Sequence, residues 1–382
     1  MGYDVTIFEA LEVLGGALAV CIPEYRLPRN ILNIDIAHIK NSGVKIKTNT
    51  MIGKDIAFDE LLNNYKAIFI ATGAFKSRKL QIENEDAQGV LDSMNFLKDV
   101  NLNKEVKIGN HVGIIGGGNA AVDAARCAKR IKGCKKVTIL YRRTRVEMPA
   151  FKEEVDAAIE EGIDIQLLTA PTKIITENGK VTGIECIKMK LGHLDSSGRR
   201  RPIPIEGSEF TVSPDTLIVA IGQDPDLSFL GKNHGLTTSK YGTIVVSSET
   251  CATNRDGIFA GGDVVTGANT VVDAMSSGKR ASEMIDKYMR GEKISKEYQL
   301  TRPSMYVPPV ELTEEEIEEA KRPEIPCIPV DERIYNSKEV ERPMTEHTAI
   351  KEARRCLRCD LETEDAKKWL EQTQMAEVKS NG

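Results

Sequence analysis

The 382 residues hold no apolar run long enough to cross a bilayer. The longest, such as 67–71 and 217–221, stop far short of the ~20 residues that a spanning helix needs. No signal peptide is legible at the N-terminus. Basic residues are scattered and slightly outnumbered, 52 Lys and Arg against 57 Asp and Glu, so the chain lacks the basic face of a nucleic-acid binder. Its eight cysteines are unevenly spread, several inside expected helices and strands, which argues against a disulfide framework. The cytoplasm is the expected location. The length, with 41% hydrophobic and 29% charged residues, predicts two or three soluble domains.

What is present centres on residues 111–143. A short apolar run (Val112, Ile114, Ile115) leads into Gly116-Gly117-Gly118-Asn119-Ala120-Ala121, then a small-residue helix, then a second β-branched run ending at Tyr141. A bare G-x-G-x-x-A is weak evidence. Directly after a strand and opening a helix, it is a dinucleotide fingerprint. Gly116 permits the tight turn, Gly118 has no Cβ to block a pyrophosphate, and Ala121 lets helix and strand pack closely. The first helical N–H groups, including those of Asn119 and Ala120, then face the phosphates.

The end of the second strand selects the dinucleotide. An acidic residue there holds the ribose 2′-OH of NAD, whereas arginine suits the 2′-phosphate of NADP. Tyr141 lies 25 positions after Gly116 and is followed by Arg142 and Arg143, with no carboxylate before Glu147. The planar guanidinium fork matches a phosphate dianion. The reading is NADP(H), the alternative being two solvated surface charges.

The chain opens on another such strand, Val5-Thr6-Ile7-Phe8, ending in Glu9-Ala10, without a preceding strand, glycine turn and helix. Leu14-Gly15-Gly16 and Ile22-Pro23-Glu24-Tyr25-Arg26-Leu27-Pro28 follow. A strand at 67–70 runs into Ala71-Thr72-Gly73, a second crossover strand at 215–221 ends in Gly222, and a third strand ends in Gly261-Gly262-Asp263 before a helix starting near Thr270. Together with Glu147-Met148-Pro149-Ala150, these motifs resemble the FAD- and NADPH-binding small subunit of glutamate synthase. The relatives of that family include the flavin subunit of ferredoxin:NADP transhydrogenases and the flavin half of dihydropyrimidine dehydrogenase. The likeness covers about residues 1–292.

The resemblance implies an α/β fold of two Rossmann-like three-layer dinucleotide-binding domains, the NAD(P) domain inserted in the FAD domain, with an irregular and helical C-terminal tail. The expected limits are 1–90 and 226–296 for FAD, 91–225 for NAD(P), and 297–382 for the tail. It implies that Glu9 binds the adenosine ribose of FAD, that Gly15, Gly16 and Arg26 line the flavin, and that Asp263 holds its ribityl hydroxyls. Thr72, Gly73, Gly222, Gly262 and Thr270 belong to the same cofactor set. Cys21 stands where glycine is frequent in that family and is read as a small buried thiol.

Function follows from the cofactors, so no protein acid or base is named. The resemblance implies hydride passing from NADPH to flavin, then single electrons to iron–sulfur centres in a partner or large catalytic subunit. Near the end, Glu352-Ala353-Arg354-Arg355-Cys356-Leu357-Arg358-Cys359 resembles the opening of an iron–sulfur domain. A [4Fe–4S] cluster needs four thiolates, and Cys356 and Cys359 supply two. The site is therefore read as shared with another chain, or as a remnant. Arg199-Arg200-Arg201 reads as a basic docking patch or a solvated turn. Because the first flavin-domain unit is not in the sequence, the rival function is a non-catalytic nucleotide-binding or assembly module. The favoured reading puts the true start of the protein upstream of Met1.

Overall fold

In the computed structural model, which describes residues 1–195, 198–231, 234–296, 310, 312–319 and 321–356, the apolar runs become parallel strands. The chain starts with β1 (Thr6–Phe8), α1 (Ala17–Val20), α2 (Arg29–Asn41), β2 (Lys45–Lys47), α3 (Phe58–Asn64), β3 (Ile68–Ile70) and β4 (Lys76–Ser77). Next come β5 (Val90–Asp92), α4 (Ser93–Asn101), β6 (His111–Ile115), α5 (Asn119–Arg130), β7 (Lys136–Leu140), α6 (Lys152–Glu160) and β8 (Asp164–Gln166). An antiparallel group, β9 (Thr169–Glu177), β10 (Lys180–Leu194), β11 (Arg200–Pro204) and β12 (Phe210–Val212), precedes β13 (Thr216–Val219) and β14 (Gln223–Asp224). The run closes with β15 (Ile258–Ala260), α7 (Asp263–Thr266) and α8 (Val271–Met289).

The central sheet is parallel, in the order β5-β13-β6-β7-β8. Each residue of β13 is buried, as expected of a strand covered on both faces. Helix α5 lies against this sheet through Ala121, Ala124, Ala125 and Ala128, all without exposure. With only methyl groups on that face, the helix backbone approaches the strands closely. One apolar cluster joins Ile115, Leu140, Leu217 and Val219 to Ile174 and Ile184 of the antiparallel group. Each such fully buried aliphatic side chain contributes roughly 1.5–3 kcal/mol.

The remaining strands form two parallel pairs and one antiparallel pair. β3 pairs with β15 across the whole intervening sequence, so the central sheet is an insertion between them. The crossings are tied together by antiparallel β4 and β14 and by an Arg78–Asp224 ion pair. β1 pairs with β2. Phe8 packs on the cluster containing Ile70, Ile258 and Ala260, which places both pairs over one core. Among the described residues, β1 has no strand partner but β2, and β3 none but β15.

The tail departs from its expected continuity. Pro329–Glu339, including helix α10 (Val330–Arg333), belongs to the same compact unit as Met1–Lys296. Arg333 is buried there between Glu160 and Glu161. One arginine reaching a distant carboxylate leaves no periodic signal in a proline-rich segment. The described residues of Glu297–Ile328 and Val340–Gly382 form a second unit, with α9 (Glu314–Glu319) and α11 (Glu346–Ala353).

Candidate functional site

The three glycines between β6 and α5 are needed for three different reasons. Gly116 has φ 147°, and a Cβ there would sit 2.2 Å from the Ala220 carbonyl oxygen of the neighbouring strand end. A Cβ on Gly117 would meet the Tyr141 ring at 2.5 Å. Gly118 is different: its φ is −91°, and the nearest atom to its Cβ position is the Pro149 Cγ at 3.8 Å. Neither conformation nor protein packing demands glycine there, so the open space is available to a ligand. Gly118 caps α5 without a side-chain acceptor, leaving the first N–H groups of the helix, Asn119 and Ala120 included, to bind an anion. Asn119 accepts from the Phe151 N–H at 3.0 Å, and the Gly117 carbonyl accepts from the Ala150 N–H at 3.2 Å. The segment at Met148–Phe151 is thereby folded over the turn. Ala121 is fully buried beneath it.

At the carboxyl end of β7 the two expected arginines diverge. Arg143 is 4% exposed and donates to the Asp195 carboxylate at 2.7 Å and the Arg200 carbonyl at 2.8 Å. Those bonds engage its Nε and Nη2 and tie Arg143 to the β10–β11 hairpin, in place of the open guanidinium expected of a phosphate ligand. Arg142 is exposed; its pKa is lowered first by partial burial and then by repulsion from Arg143. Residues 142 and 143, with Leu194, Asp195, Arg201 and Pro202, line a cavity of about 540 Å³.

The flavin-side residues lie on the other strands. Glu9 closes β1, and its Oε1 accepts from the Leu11 N–H at 2.8 Å. Gly15 and Gly16 lead into α1, which Gly16 caps. Thr72 and Gly73 follow β3, and Gly222 follows β13, its carbonyl accepting from the Arg78 N–H at 3.0 Å. Gly262 and Asp263 follow β15 at the same sheet edge as Thr72, since the Gly261 N–H donates to the Ile70 carbonyl at 3.1 Å. Burial raises the Asp263 carboxyl, opposed by a hydrogen bond from the Asn269 N–H. That half-buried acceptor fits a ligand that donates hydroxyls. Thr270 caps α8, and Ser277 of that helix accepts from the Gly262 N–H at 2.9 Å.

Arg26 is not an open flavin contact. Its Nη1 lies 2.9 Å from Asp123 on α5 and its Nε 2.9 Å from Glu154 on α6. Tyr25 beside it packs against Arg126 and Arg130, whose guanidinium carbons stand 4.6 and 4.2 Å from the ring centre. The Tyr25-Arg26 motif therefore fastens the flavin-side chain to the nucleotide-side helices. Nothing in the local sequence announces this, because the partners lie about a hundred residues away.

Among the described residues no disulfide joins two cysteines. Burial pushes the thiols of Cys21, Cys127 and Cys186 up to about 12. They stay protonated and poorly nucleophilic. Alkylation of the native protein at pH 8 is expected to spare these three while Cys356, which is exposed, reacts. Peptide mapping checks this, and rapid labelling of Cys127 would contradict the packing around α5. Cys356 lies just after α11, whereas Cys359 lies outside the described residues. Among the described residues no group of three or more His, Cys, Asp or Glu is placed to hold a metal.

The family described as pyridine nucleotide-disulphide oxidoreductase matches residues 35–278. The beta subunit of the NADP(+)-dependent formate dehydrogenase of Moorella thermoacetica is 43% identical over 374 residues, covering 94% of this chain and 51% of that protein. A putative glutamate synthase [NADPH] small chain of Cereibacter sphaeroides is 35% identical over 298 residues, covering 75% of this chain and 72% of that protein. Mycobacterium tuberculosis FprA in complex with NADPH is similar in fold, with TM-score 0.65 at 16% identity, covering 78% of this chain and 80% of that one. The chain spans about half the length of the formate dehydrogenase subunit.

Proposed function

The chain belongs to the pyridine nucleotide-disulphide oxidoreductase family, within its glutamate synthase small-chain-like branch, and from that premise we propose that it is an NADPH-dependent flavoprotein oxidoreductase module of a larger redox complex. The observation that carries the reading is Gly118. It is a glycine that protein packing does not require, set before an uncapped helix N-terminus and near an arginine-lined cavity. A pyrophosphate approaching the backbone accounts for it.

Bound together, the two cofactors would supply hydride transfer from nicotinamide to flavin and the division of the electron pair into single electrons, which suits iron–sulfur acceptors. The protein's own part is to bind and orient. The Gly116–Ala121 turn and Arg142 hold the pyridine nucleotide. Glu9 takes the adenosine ribose of FAD, Gly15 and Gly16 line the flavin, and Asp263 takes the ribityl hydroxyls. Thr72, Gly73, Gly222, Gly262 and Thr270 frame that site. The N-terminus of α8 supports negative charge beside it. The buried cysteines take no part, so disulfide reduction is not the proposed reaction.

The partner is a catalytic or iron–sulfur subunit, a reading supported by relatives named as beta subunits or small chains. Cys356 and Cys359 are offered as two ligands of a [4Fe–4S] cluster shared with it. Among the described residues no helix is long and apolar enough to cross a membrane, and the cytoplasm is the proposed location. A second reading, a nucleotide-binding assembly module without flavin, is favoured by the single pairing of β1 and of β3.

The test is an anaerobic NADPH titration of protein incubated with FAD. The oxidoreductase reading expects retained flavin absorbance that bleaches on adding NADPH. Colourless protein that still binds NADPH would support the assembly module instead.

A further inference from the structure

The antiparallel group places a second arginine where the 2′-phosphate of NADPH is expected. β10 and β11 form a hairpin whose register shifts between Leu191 and Leu194. Such an irregularity bends the strand and re-aims its end. The turn end of the hairpin is fixed to the carboxyl end of β7 by Arg143, through the Asp195 carboxylate and the Arg200 carbonyl. The Asp195 N–H donates to the Arg199 carbonyl at 2.7 Å, which keeps the hairpin closed. Arg201, the residue after Arg200, is exposed and lines the same cavity as Arg142.

We infer that Arg201 joins Arg142 in gripping the ribose 2′-phosphate, and that Arg143 is a positioning residue that holds the hairpin against β7. The charges around the cavity favour this division. Arg143 is occupied by Asp195, the one carboxylate among the described residues that line the cavity. The side chains of Arg142 and Arg201 make no hydrogen bond or ion pair among the described residues. Burial and repulsion from Arg143 and Arg199 outweigh the attraction of Tyr141 and Asp195 at Arg142, so an added anion would ease its charge. Two guanidiniums, one just after β7 and one on β11, can grip a phosphate from two sides with charge-assisted hydrogen bonds. Leu194 and Pro202 supply the apolar part of the wall.

The inference rests on the NADPH reading and extends it to a residue outside the dinucleotide fingerprint. Two fragment probes separate the terms: adenosine 2′,5′-bisphosphate, which carries the 2′-phosphate, and 5′-AMP, which lacks it. Calorimetric titrations of the full chain and of R201A with each probe form the experiment. R201A is expected to weaken the bisphosphate roughly tenfold or more, the size of a lost hydrogen bond to a charged group. It should leave 5′-AMP within about twofold and the melting temperature unchanged, since Arg201 is exposed. R201K, which keeps the charge but not the fork, should fall between. Equal weakening of both probes would mean a structural role and overturn the assignment. If the full chain prefers the bisphosphate and R201A keeps that preference, the assignment falls while the NADPH reading stands. If the full chain shows no preference, both fall.

Discussion

Replacing Gly118 by valine is expected to leave the fold intact and to abolish measurable NADPH binding. The backbone there is extended, φ −91° and ψ 177°, which any L-residue adopts. A Cβ would meet no protein atom closer than 3.8 Å. The side chain would instead occupy the space through which a pyrophosphate reaches the α5 N–H groups, so the loss should exceed about a hundredfold. Gly116→Ala gives the contrast. Its Cβ would collide with the Ala220 carbonyl at 2.2 Å in a conformation unfavourable to L-residues, so stability and binding should fall together. Thermal melts and NADPH titrations of both variants make the comparison. A Gly118→Val protein that melts like wild type and binds NADPH normally would remove the phosphate account of that glycine.

The largest loss of stability is expected at Glu161. Its side chain is fully buried and faces three guanidiniums: Arg126 and Arg130 at 2.7 Å and Arg333 at 3.1 Å. Arg126 bonds Glu154 as well. Glu161→Ala would leave these cations under-compensated in the interior, which costs about 3–5 kcal/mol. For a unit of this size the melting temperature should drop by roughly 10 °C. Burial pushes the Glu161 carboxyl up, but hydrogen bonds from Arg130 and Arg126 more than offset it, so its pKa lies below the usual 4.5. A depressed carboxylate contributes stability that is present above the unfolded pKa and is lost as pH falls through the folded value. Wild type should therefore lose stability on acidification below about pH 4.5, and the variant should show a flatter dependence there. Urea melts across that range check the sign. An unchanged midpoint in Glu161→Ala would mean that the cluster is not closed in solution.

The parts legible in the sequence are those with a short period or a local motif. The β6-turn-α5-β7 order was readable because two β-branched runs, three glycines and an alanine face lie within thirty-odd residues. The insertion was readable because Thr72-Gly73 and Gly222 mark both crossings. The roles of Arg143, Arg26 and Arg333 were not. Each arginine looks like any charged residue in its own segment, and its partner is set only when distant elements pack: Asp195 on a hairpin, Asp123 on α5, Glu161 after α6. The same reason hid Arg201. A run of three arginines in a polar loop has no direction until Arg143 pins the hairpin and turns one of them toward the nucleotide strand.

The central claim is that the Gly116 turn and its arginines form an NADPH site. One calorimetric comparison of the 382-residue protein with NADPH and with NADH tests it most directly. The account predicts a single site that binds NADPH at least tenfold more tightly, the preference lying in the 2′-phosphate alone. Equal affinity for the two nucleotides, or no binding of either, would contradict it.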